Sequence, residues 1–298
     1  MDTRELELFL QVVDSLSFSR AAERRHLSLS AVSRTIQRLE AAVGRRLFER
    51  DRRSVRLTDA GREFAVYARD AVAEWQRVRS ELRLEGDALR GAVSVYCSVT
   101  ASYSVLSPIL ERLRVQQPRI DILLHTGDQA DGVDRVHGGL EDIAVAARPD
   151  QLPGRLDFLT LMHSPLVLVA PAFDCAVSEE LEASGGDPAS CPFITPERGV
   201  SKQRIDAWFR ERGKRPRIYA QVAGHEAIAS MVALGLGVGA VPELVLENFR
   251  YRERLRELER GEALGAFAIG LCSDRQRLES PLVAAFWEAA TRSYSAVK

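Results

Sequence analysis

The chain has 298 residues, which is long enough for two or three compact units that each bury their own core. Its composition, with 46% hydrophobic and 28% charged residues and no biased tract, is that of an ordinary globular protein. No apolar run approaches the roughly 20 residues of a membrane span, and residues 1–5 lack the basic start of a secretion signal. We therefore expect a protein of the cytoplasm.

The net charge of −1 hides an uneven distribution of charge along the chain. Residues 1–56 contain 12 arginines and 8 acidic residues, a balance of +4, whereas the remaining 242 residues contain 29 basic and 34 acidic residues, a balance of −5. A basic end on a mildly acidic body is typical of a protein that meets phosphate groups at that end. A solvated charged face and a general preference for arginine are the alternative explanations, since the chain contains three lysines.

The four cysteines, Cys97, Cys175, Cys191 and Cys272, lie far apart in the sequence. They form no Cys-x-x-Cys pair, and none lies at ligand spacing from a histidine, so a structural zinc site is not expected. In a reducing compartment, free cysteines are most often buried apolar residues. The sequence therefore predicts no metal site and no cofactor.

Three short helices are predicted at the start of the chain. Apolar residues recur at helical spacing in the first helix, which ends near Ser15, and a capping serine precedes a second helix at residues 20–24. A third helix begins near Ser28 and runs to about Val43, and Gly44 is a typical residue for ending it.

The third helix has an apolar side, and its opposite side combines hydroxyl, amide and guanidinium groups. Those groups are the donors and acceptors that read base edges in a major groove of DNA. Residues 46–58 follow as two short strands around a charged turn, a wing whose arginines can lie along a DNA backbone or enter a minor groove. The residues expected to contact DNA are Ser19, Ser28, Ser30, Ser33, Arg34, Gln37, Arg38, Arg50, Arg52 and Arg53.

The run AAERRHLSLSAVSRTIQRLEAAVGRRLFERDRRSVRLTDAG, residues 21–61, closely resembles the N-terminal signature of LysR-type transcriptional regulators. The helix, the glycine, the Leu-Phe pair, the arginine-rich wing and Leu-Thr-x-Ala-Gly occur in the order of that family. Many members carry Ser-Gln-Pro where this chain has Ser28-Leu29-Ser30. Because leucine cannot replace an amide at a base edge, we expect base reading to shift to the remaining polar residues of the third helix. The operator sequence therefore cannot be borrowed from relatives.

A long helix is predicted from Thr58 to about Leu84, with Thr58 as its cap. Six of its residues are spaced alternately by four and three, the heptad seam of a helix that needs a partner helix. The alternative is a helix packed on its own domain. We favour a homodimer or homotetramer, because no neighbouring segment supplies a partner and LysR-type regulators dimerise through this helix. The residues expected at the dimer interface are Phe64, Ala68, Ala71, Trp75, Val78 and Leu82.

After Gly91 the sequence alternates short apolar strands with helices, which predicts an α/β fold with a parallel sheet whose faces are covered. The last strand and a final helix at about 281–291 are expected to return to the first group of strands. Two α/β lobes joined by crossing strands, similar to the periplasmic-binding-protein fold, are also what the family resemblance implies. The strands are expected at 93–97, 120–125, 143–147, 166–170, 192–195, 218–222, 238–241 and 267–272.

The predicted domain organisation follows from these changes of pattern. Residues 1–58 are expected to form an all-α winged helix-turn-helix, residues 59–90 the long linker helix and a hinge, and residues 91–298 an effector-binding domain. Within that domain, lobe I is expected at about 91–162 and 268–298, and lobe II at about 163–267. A ligand should bind in the cleft between the lobes, at the carboxyl ends of strands and the amino ends of helices.

Several residues fall at those ends, where amides, hydroxyls and charged groups can hold a small carboxylate. Each alone is more often a helix cap than a ligand contact, but their recurrence at one end of successive strands favours a shared site. The residues expected to contact the effector are Ser98, Val99, Thr100, Thr126, Gly127, Arg148, Gly199, Val200, Ser201, His225 and Glu226.

Three longer segments sharpen the resemblance: CSVTASYSVLSPILERLRVQQPRIDILLHTGDQAD, FITPERGVSKQRIDAWFR and GHEAIASMVALGLGVGAVPELVLEN. They are similar to family members that activate the acetohydroxy acid isomeroreductase gene of branched-chain amino acid biosynthesis. That similarity implies an activator whose effector is 2-acetolactate or 2-aceto-2-hydroxybutyrate and which works with RNA polymerase. The alternative is a LysR-type regulator of another pathway with a different small carboxylate effector.

Other classes of protein fit the sequence less well. The segment Gly235–Ala240 matches a relaxed dinucleotide fingerprint, but it follows a helix and leads into a strand, the reverse of the order that a phosphate site requires. His225 and Glu226 suggest acid–base chemistry, but no nucleophile or metal cluster accompanies them. A solute-binding protein needs a secretion signal, and an architectural DNA-binding protein has no need of a cleft-forming domain. We therefore expect no enzymatic activity and no catalytic residues.

Overall fold

The computed structural model describes residues 1–50, 55–81, 89–260 and 264–295. Arg52, Arg53 and Leu82, three of the residues expected to contact DNA or a second subunit, lie outside those ranges, as does the side chain of Arg50. The chain divides into two compact units, one built mainly from residues 1–88 and the other from most of residues 89–298. Within the described ranges, no helix combines the length and the apolar character needed to cross a membrane.

The N-terminal unit contains the predicted helices and the two strands of the wing, whose charged turn lies outside the described residues. Ser28 caps the third helix, since its Oγ accepts a hydrogen bond from the Ala31 amide at 3.2 Å. Gly44 ends that helix in the left-handed conformation, with φ of 74°. Thr58 begins the long helix, and its Oγ1 accepts from the Gly61 amide at 2.9 Å. The elements are α1 (Thr3–Ser15), α2 (Phe18–Arg25), α3 (Leu29–Val43), β1 (Phe48–Arg50), β2 (Val55–Leu57) and α4 (Asp59–Glu81).

The core of this unit forms around Phe9 of α1, which is completely buried. Its ring centroid lies 5.3 Å from that of Phe48 in β1 and 5.0 Å from that of Phe64 in α4. Val32, Ile36 and Leu39 of α3 complete the core. Burial of each such side chain contributes about 1.5–3 kcal/mol, and this contribution fixes the polar side of α3 towards solvent.

The first half of the predicted dimerisation seam belongs to this core. Ala68 is completely buried, and Phe64 and Ala71 pack against the same cluster. The expectation that no neighbouring segment covers the seam is therefore wrong for this half, because α1 packs along α4. Further along α4, Val78 is half-buried and Trp75 is 50% exposed, so Trp75 presents apolar surface outside the core.

The C-terminal unit is the predicted α/β fold, with strands close to the predicted positions. Its strands are β3 (Gly91–Cys97), β4 (Ile120–Thr126), β5 (Ile143–Ala147), β6 (Leu156–Pro171), β7 (Pro192–Pro196), β8 (Arg217–Val222), β9 (Val238–Pro242), β10 (Leu255–Arg260) and β11 (Ala266–Asp274). Its helices are α5 (Val99–Ser104), α6 (Leu106–Gln116), α7 (Gly132–His137), α8 (Ala176–Ala183), α9 (Gly199–Glu211), α10 (His225–Ala233), α11 (Glu243–Glu247), α12 (Arg275–Leu278) and α13 (Pro281–Ser295).

The strands lie in the order β4-β3-β5-β11-β6-β9-β7-β8, and β10 pairs with β6. The outer strands are parallel, as predicted: β3 pairs with β4 and β5, and β7 pairs with β8 and β9. The middle is antiparallel, which departs from the parallel pairing predicted for the rest of the sheet. The reason is that β6 carries the chain from one lobe to the other and β11 carries it back.

We use lobe I for the part around β3, β4 and β5, and lobe II for the part around β7 to β10. The first half of β6 pairs with β11, and the second half pairs with β9 and β10. Helix α13 packs on α6 and β3, so the chain returns to lobe I as predicted. The Tyr294 hydroxyl of α13 donates a hydrogen bond to the Val105 carbonyl at 3.0 Å, which holds α13 against lobe I.

Candidate functional site

The polar side of α3 faces solvent, and the opposite side of the helix is buried in the core. Ser30, Arg34, Gln37 and Arg38 are exposed, and Ser33 is partly buried. These side chains project from a rigid helix whose other side is fixed by the core. The arrangement presents hydroxyl, amide and guanidinium groups together on one surface, as the sequence predicted.

Two arginines of α3 already make contacts within the N-terminal unit. The Arg34 Nε donates to the Ser30 carbonyl at 3.3 Å, which holds the guanidinium back towards the first turn of the helix. A guanidinium nitrogen of Arg38 lies 2.9 Å from a carboxylate oxygen of Glu5, and the Arg38 side chain is 69% exposed. The Glu5 side chain is 17% exposed, but the arginine lies open to solvent, so a phosphate or a base can replace Glu5 as its partner.

The wing is attached to the end of α3 by a residue that the sequence did not single out. The Glu40 carboxylate accepts hydrogen bonds from the Leu47 amide at 2.9 Å and from the Phe48 amide at 3.2 Å. Thr58 adds a second tie, since its hydroxyl donates to the Arg46 carbonyl at 2.7 Å. These bonds join residues seven to twelve positions apart, so no helical or strand periodicity reveals them. Ser19 is exposed on α2.

In the C-terminal unit, the lobes meet at the predicted edge of the sheet. The backbone amide and the hydroxyl of Thr100, at the start of α5 in lobe I, donate to one carboxylate oxygen of Glu226 at 3.0 and 2.7 Å. Glu226 lies in the first turn of α10 in lobe II. Burial raises the pKa of Glu226, but the hydrogen bonds from Thr100 and from the backbone amide of Glu226 itself, together with His225, leave that pKa below its usual value. The carboxylate is therefore charged at neutral pH.

A second contact between the lobes runs through His225. The Nδ1 of His225 lies 2.8 Å from the Gln129 side-chain nitrogen in lobe I, and the Nε2 lies 2.8 Å from the Ser201 Oγ in lobe II. In this orientation of the Gln129 amide its nitrogen donates to Nδ1, which places the ring proton on Nε2. Burial lowers the pKa of His225 to about 4, so the ring is neutral at neutral pH.

A third contact joins Arg198 of lobe II to Asp131 of lobe I as an ion pair. Gly199 follows with φ of 87°, and a Cβ at this position would lie 2.9 Å from the Ala130 Cβ. Glycine is therefore required by the backbone conformation and by the close approach of the two lobes.

The structure brings some predicted effector residues together and leaves others apart. Thr100, Ser201 and His225 are buried and hydrogen-bonded within the protein, and Ser98 caps α5. Thr126, Gly127 and Arg148 are exposed at the ends of their strands. Val99 is exposed, and Gly199 and Val200 are half-buried. Gln129 and Asp131 were not predicted from the sequence, because they lie in a short 3-10 turn without a periodic pattern, and neither was Arg198, which pairs with Asp131.

The pairing of Ser201 with His225 corrects one argument made from the sequence. A hydroxyl does accompany His225, at the distance of a nucleophile and its base. The pair ties α9 to α10 within lobe II, and both side chains are 3% exposed.

Two further predictions concern segments without a role in the cleft. The segment Gly235–Ala240 links α10 to β9, as predicted, and a Cβ on Gly237 would lie 2.5 Å from the Pro192 carbonyl oxygen. Three of the cysteines are buried, also as predicted, and Cys175 is half-buried at the start of α8. Burial raises the pKa of Cys97 and of Cys272 to about 12, so these thiols remain protonated.

Comparison with known proteins identifies both units. The model of the bacterial regulatory helix-turn-helix protein, lysR family, matches residues 3–62, and that of the LysR substrate binding domain matches residues 86–295. The HTH-type transcriptional activator IlvY of Salmonella typhimurium is 44% identical over 291 residues, which are 97% of this chain and 99% of that protein.

Solved structures share the fold at low sequence identity. A full-length OxyR variant of Pseudomonas aeruginosa superposes with a TM-score of 0.68 at 19% identity, over 98% of this chain and 95% of that one. Full-length CbnR complexed with its target DNA gives a TM-score of 0.62 at 21% identity, over 98% of this chain and all of that one.

The matched relatives are transcriptional regulators and not enzymes, as the sequence predicted. Two family models together span most of the chain, in the order helix-turn-helix and then substrate-binding domain. The chain belongs to the LysR family of bacterial transcriptional regulators, and it is a DNA-binding protein with a domain for a small-molecule effector.

Proposed function

We propose that this protein activates transcription of a gene of branched-chain amino acid biosynthesis in response to 2-acetolactate or 2-aceto-2-hydroxybutyrate. The observation that supports this most is the 44% identity to the activator IlvY, because it extends through nearly the whole effector domain as well as the helix-turn-helix. Both candidate effectors carry a carboxylate, a tertiary hydroxyl and a ketone. An acetohydroxy acid therefore needs anion-binding and hydrogen-bonding groups in one cleft.

Helix α3 enters the major groove in this proposal, and its exposed polar residues contact base edges. The wing lies on the sugar–phosphate backbone or in the minor groove, where Arg50, Arg52 and Arg53 neutralise phosphates. Two copies of the chain bind paired half-sites, and the exposed part of α4 around Trp75 joins them. A dimer or tetramer then contacts RNA polymerase in the cytoplasm.

The effector carboxylate binds at Thr100 or Arg148 in this proposal, and Thr126, Ser201 or His225 contacts the other oxygens. Support comes from the bond that Thr100 already makes, since its amide and hydroxyl hold the carboxylate of Glu226. An effector carboxylate that takes this place displaces Glu226. The lobes then lose one of their contacts, which changes their relative position.

Isothermal titration calorimetry of the full-length protein with 2-acetolactate tests the proposal. We expect saturable binding to the wild type and at least tenfold weaker binding to Thr100→Val or Arg148→Ala. Arg114→Ala, which removes an exposed arginine at the end of α6, is the matched control and should bind as the wild type does. Wild-type protein that binds another small carboxylate instead would favour a regulator of a different pathway. Unchanged affinity in both cleft variants would disprove the assignment of Thr100 and Arg148 to the carboxylate, but it would leave the choice of effector standing.

A further inference from the structure

Two leucines lie exposed beside the start of α3. Leu27 is 44% exposed, and Leu29, the first residue of the helix, is 53% exposed. One to three turns further along, Val32, Ile36 and Leu39 are completely or almost completely buried. Leu29 is therefore a large apolar side chain on the part of α3 that does not pack on the core.

Leu29 shares a row of the helix with two polar residues. Leu29, Ser33 and Gln37 are spaced by four residues, so their Cα atoms lie about 6 Å apart along the same side of the helix. The guanidinium of Arg34 is held towards this end by its bond to the Ser30 carbonyl. An apolar group thus stands at the tip of a surface that otherwise carries hydrogen-bonding and cationic groups.

The chemistry of a major groove limits what such a group can recognise. Base edges there present donors and acceptors, which a leucine leaves unsatisfied, and one apolar group, the C5 methyl of thymine. The N-terminal residues of a recognition helix are those that reach base edges. A leucine at this position therefore fits a thymine and is unfavourable opposite the polar edge of the other bases.

We propose that Leu29 packs against the methyl group of one thymine in each half-site and so selects thymine at that position. The proposal rests on the placement of α3 in the major groove. It also revises the expectation that Leu29 takes no part in base recognition. Leu29 contacts a methyl group, whereas the polar residues of α3 contact hydrogen-bonding base edges.

Replacing single thymines by deoxyuridine tests the proposal, because deoxyuridine lacks the methyl group and keeps every hydrogen-bonding atom. A binding site is first selected from a pool of random duplexes with the full-length wild-type protein. Each thymine is then replaced in turn, and Kd is measured by fluorescence anisotropy at one fixed salt concentration. We expect one thymine per half-site whose replacement weakens wild-type binding about fourfold, the effect of about one buried CH2.

Leu29→Ala should lose that sensitivity, with less than about a twofold difference between the thymine and deoxyuridine duplexes. Leu27→Ala, the matched control, should keep the full difference. Leu29→Gln provides a second variant with good helix propensity, and it should change the preferred base at this position. A wild type indifferent to every methyl group, or a Leu29→Ala variant as sensitive as the wild type, would overturn the proposal. If instead α3 does not lie in the major groove, Arg34→Ala would leave the Kd for DNA unchanged, which distinguishes that failure from failure of the Leu29 proposal.

Discussion

The two candidate sites of this protein differ in how their polar groups are satisfied. On α3, the polar side chains are largely exposed and belong to one continuous helix. In the cleft, Thr100 and His225 are buried and have partners in the opposite lobe. A surface of the first kind meets DNA by exchanging only contacts that its arginines make at the surface. A surface of the second kind must exchange an internal partner for a ligand, which couples ligand binding to the positions of the lobes.

Core substitutions in the two units should separate these functions most strongly. Phe9→Ala removes a buried ring from the N-terminal unit and should lower its free energy of unfolding by about 3–5 kcal/mol. DNA binding should then fall sharply, while effector binding persists. Phe209→Ala is the matched change in the C-terminal unit and should do the reverse. Hydrogen exchange measured on peptides from each unit reports the two stabilities separately; equal loss in both units for either variant would contradict their independence.

As the pH falls, the cleft should lose stability before α3 does, because His225 is neutral in the folded protein. Its pKa of about 4 when folded lies below the usual 6.5, so the unfolded chain binds more protons. The stability that depends on the neutral ring is complete above about pH 6.5 and is lost progressively as pH falls towards 4, by on the order of 3 kcal/mol in total.

Urea unfolding of the C-terminal unit at about pH 7 and about pH 5, on either side of the usual histidine pKa, measures this effect. His225→Gln keeps a polar side chain that does not titrate and should show a smaller drop between these pH values than the wild type. The same drop in both proteins would rule out His225 as the group responsible.

Ser201→Ala should have a smaller effect, because it removes one hydrogen bond from a buried ring. Nε2 of the buried His225 ring then loses its hydrogen-bond partner, which costs about 1–3 kcal/mol. Ser230→Ala, on an exposed residue of α10, is the control and should change the free energy of unfolding by less than about 0.5 kcal/mol. Equal effects of the two substitutions in thermal or urea unfolding would contradict the role of Ser201.

The weakest expected effect is at the pair of Arg38 and Glu5. Glu5→Gln should change the free energy of unfolding by at most about 1 kcal/mol, since the arginine of the pair lies open to solvent. It should also release Arg38 and so tighten DNA binding slightly at low salt. Titration of DNA at two salt concentrations checks this, and weaker binding by Glu5→Gln would show that Glu5 positions Arg38 for DNA.

The same contrast explains what could be predicted from the sequence. The limits of α3 were predicted from Ser28, Gly44 and the apolar spacing, which are all local signals. The contacts of Thr100 with Glu226 and of Gln129 with His225 join residues 126 and 96 positions apart, so no local pattern contains them. The sequence placed Thr100, His225 and Glu226 at the correct edge of the sheet, but it could not pair them.

Strands and helix seams show the same limit. The sequence LRELER of β10 is charged and carries no strand signal, yet it pairs antiparallel with the buried second half of β6. The seam of α4 has the spacing of a dimer interface, but spacing alone does not tell a partner in another chain from α1 in the same chain. The packing of Phe64, Ala68 and Ala71 in the N-terminal core assigns the first half of the seam to this core.

Footprinting of the full-length protein on DNA beside an acetohydroxy acid isomeroreductase gene, with and without 2-acetolactate, tests the central claim most directly. We expect protection of two half-sites in both conditions, with a change in the protected pattern and an increase in transcription when the effector is added. Arg34→Ala should abolish the protection, and Thr100→Val should keep the protection but lose the response. Identical footprints and identical transcription with and without 2-acetolactate would contradict the account.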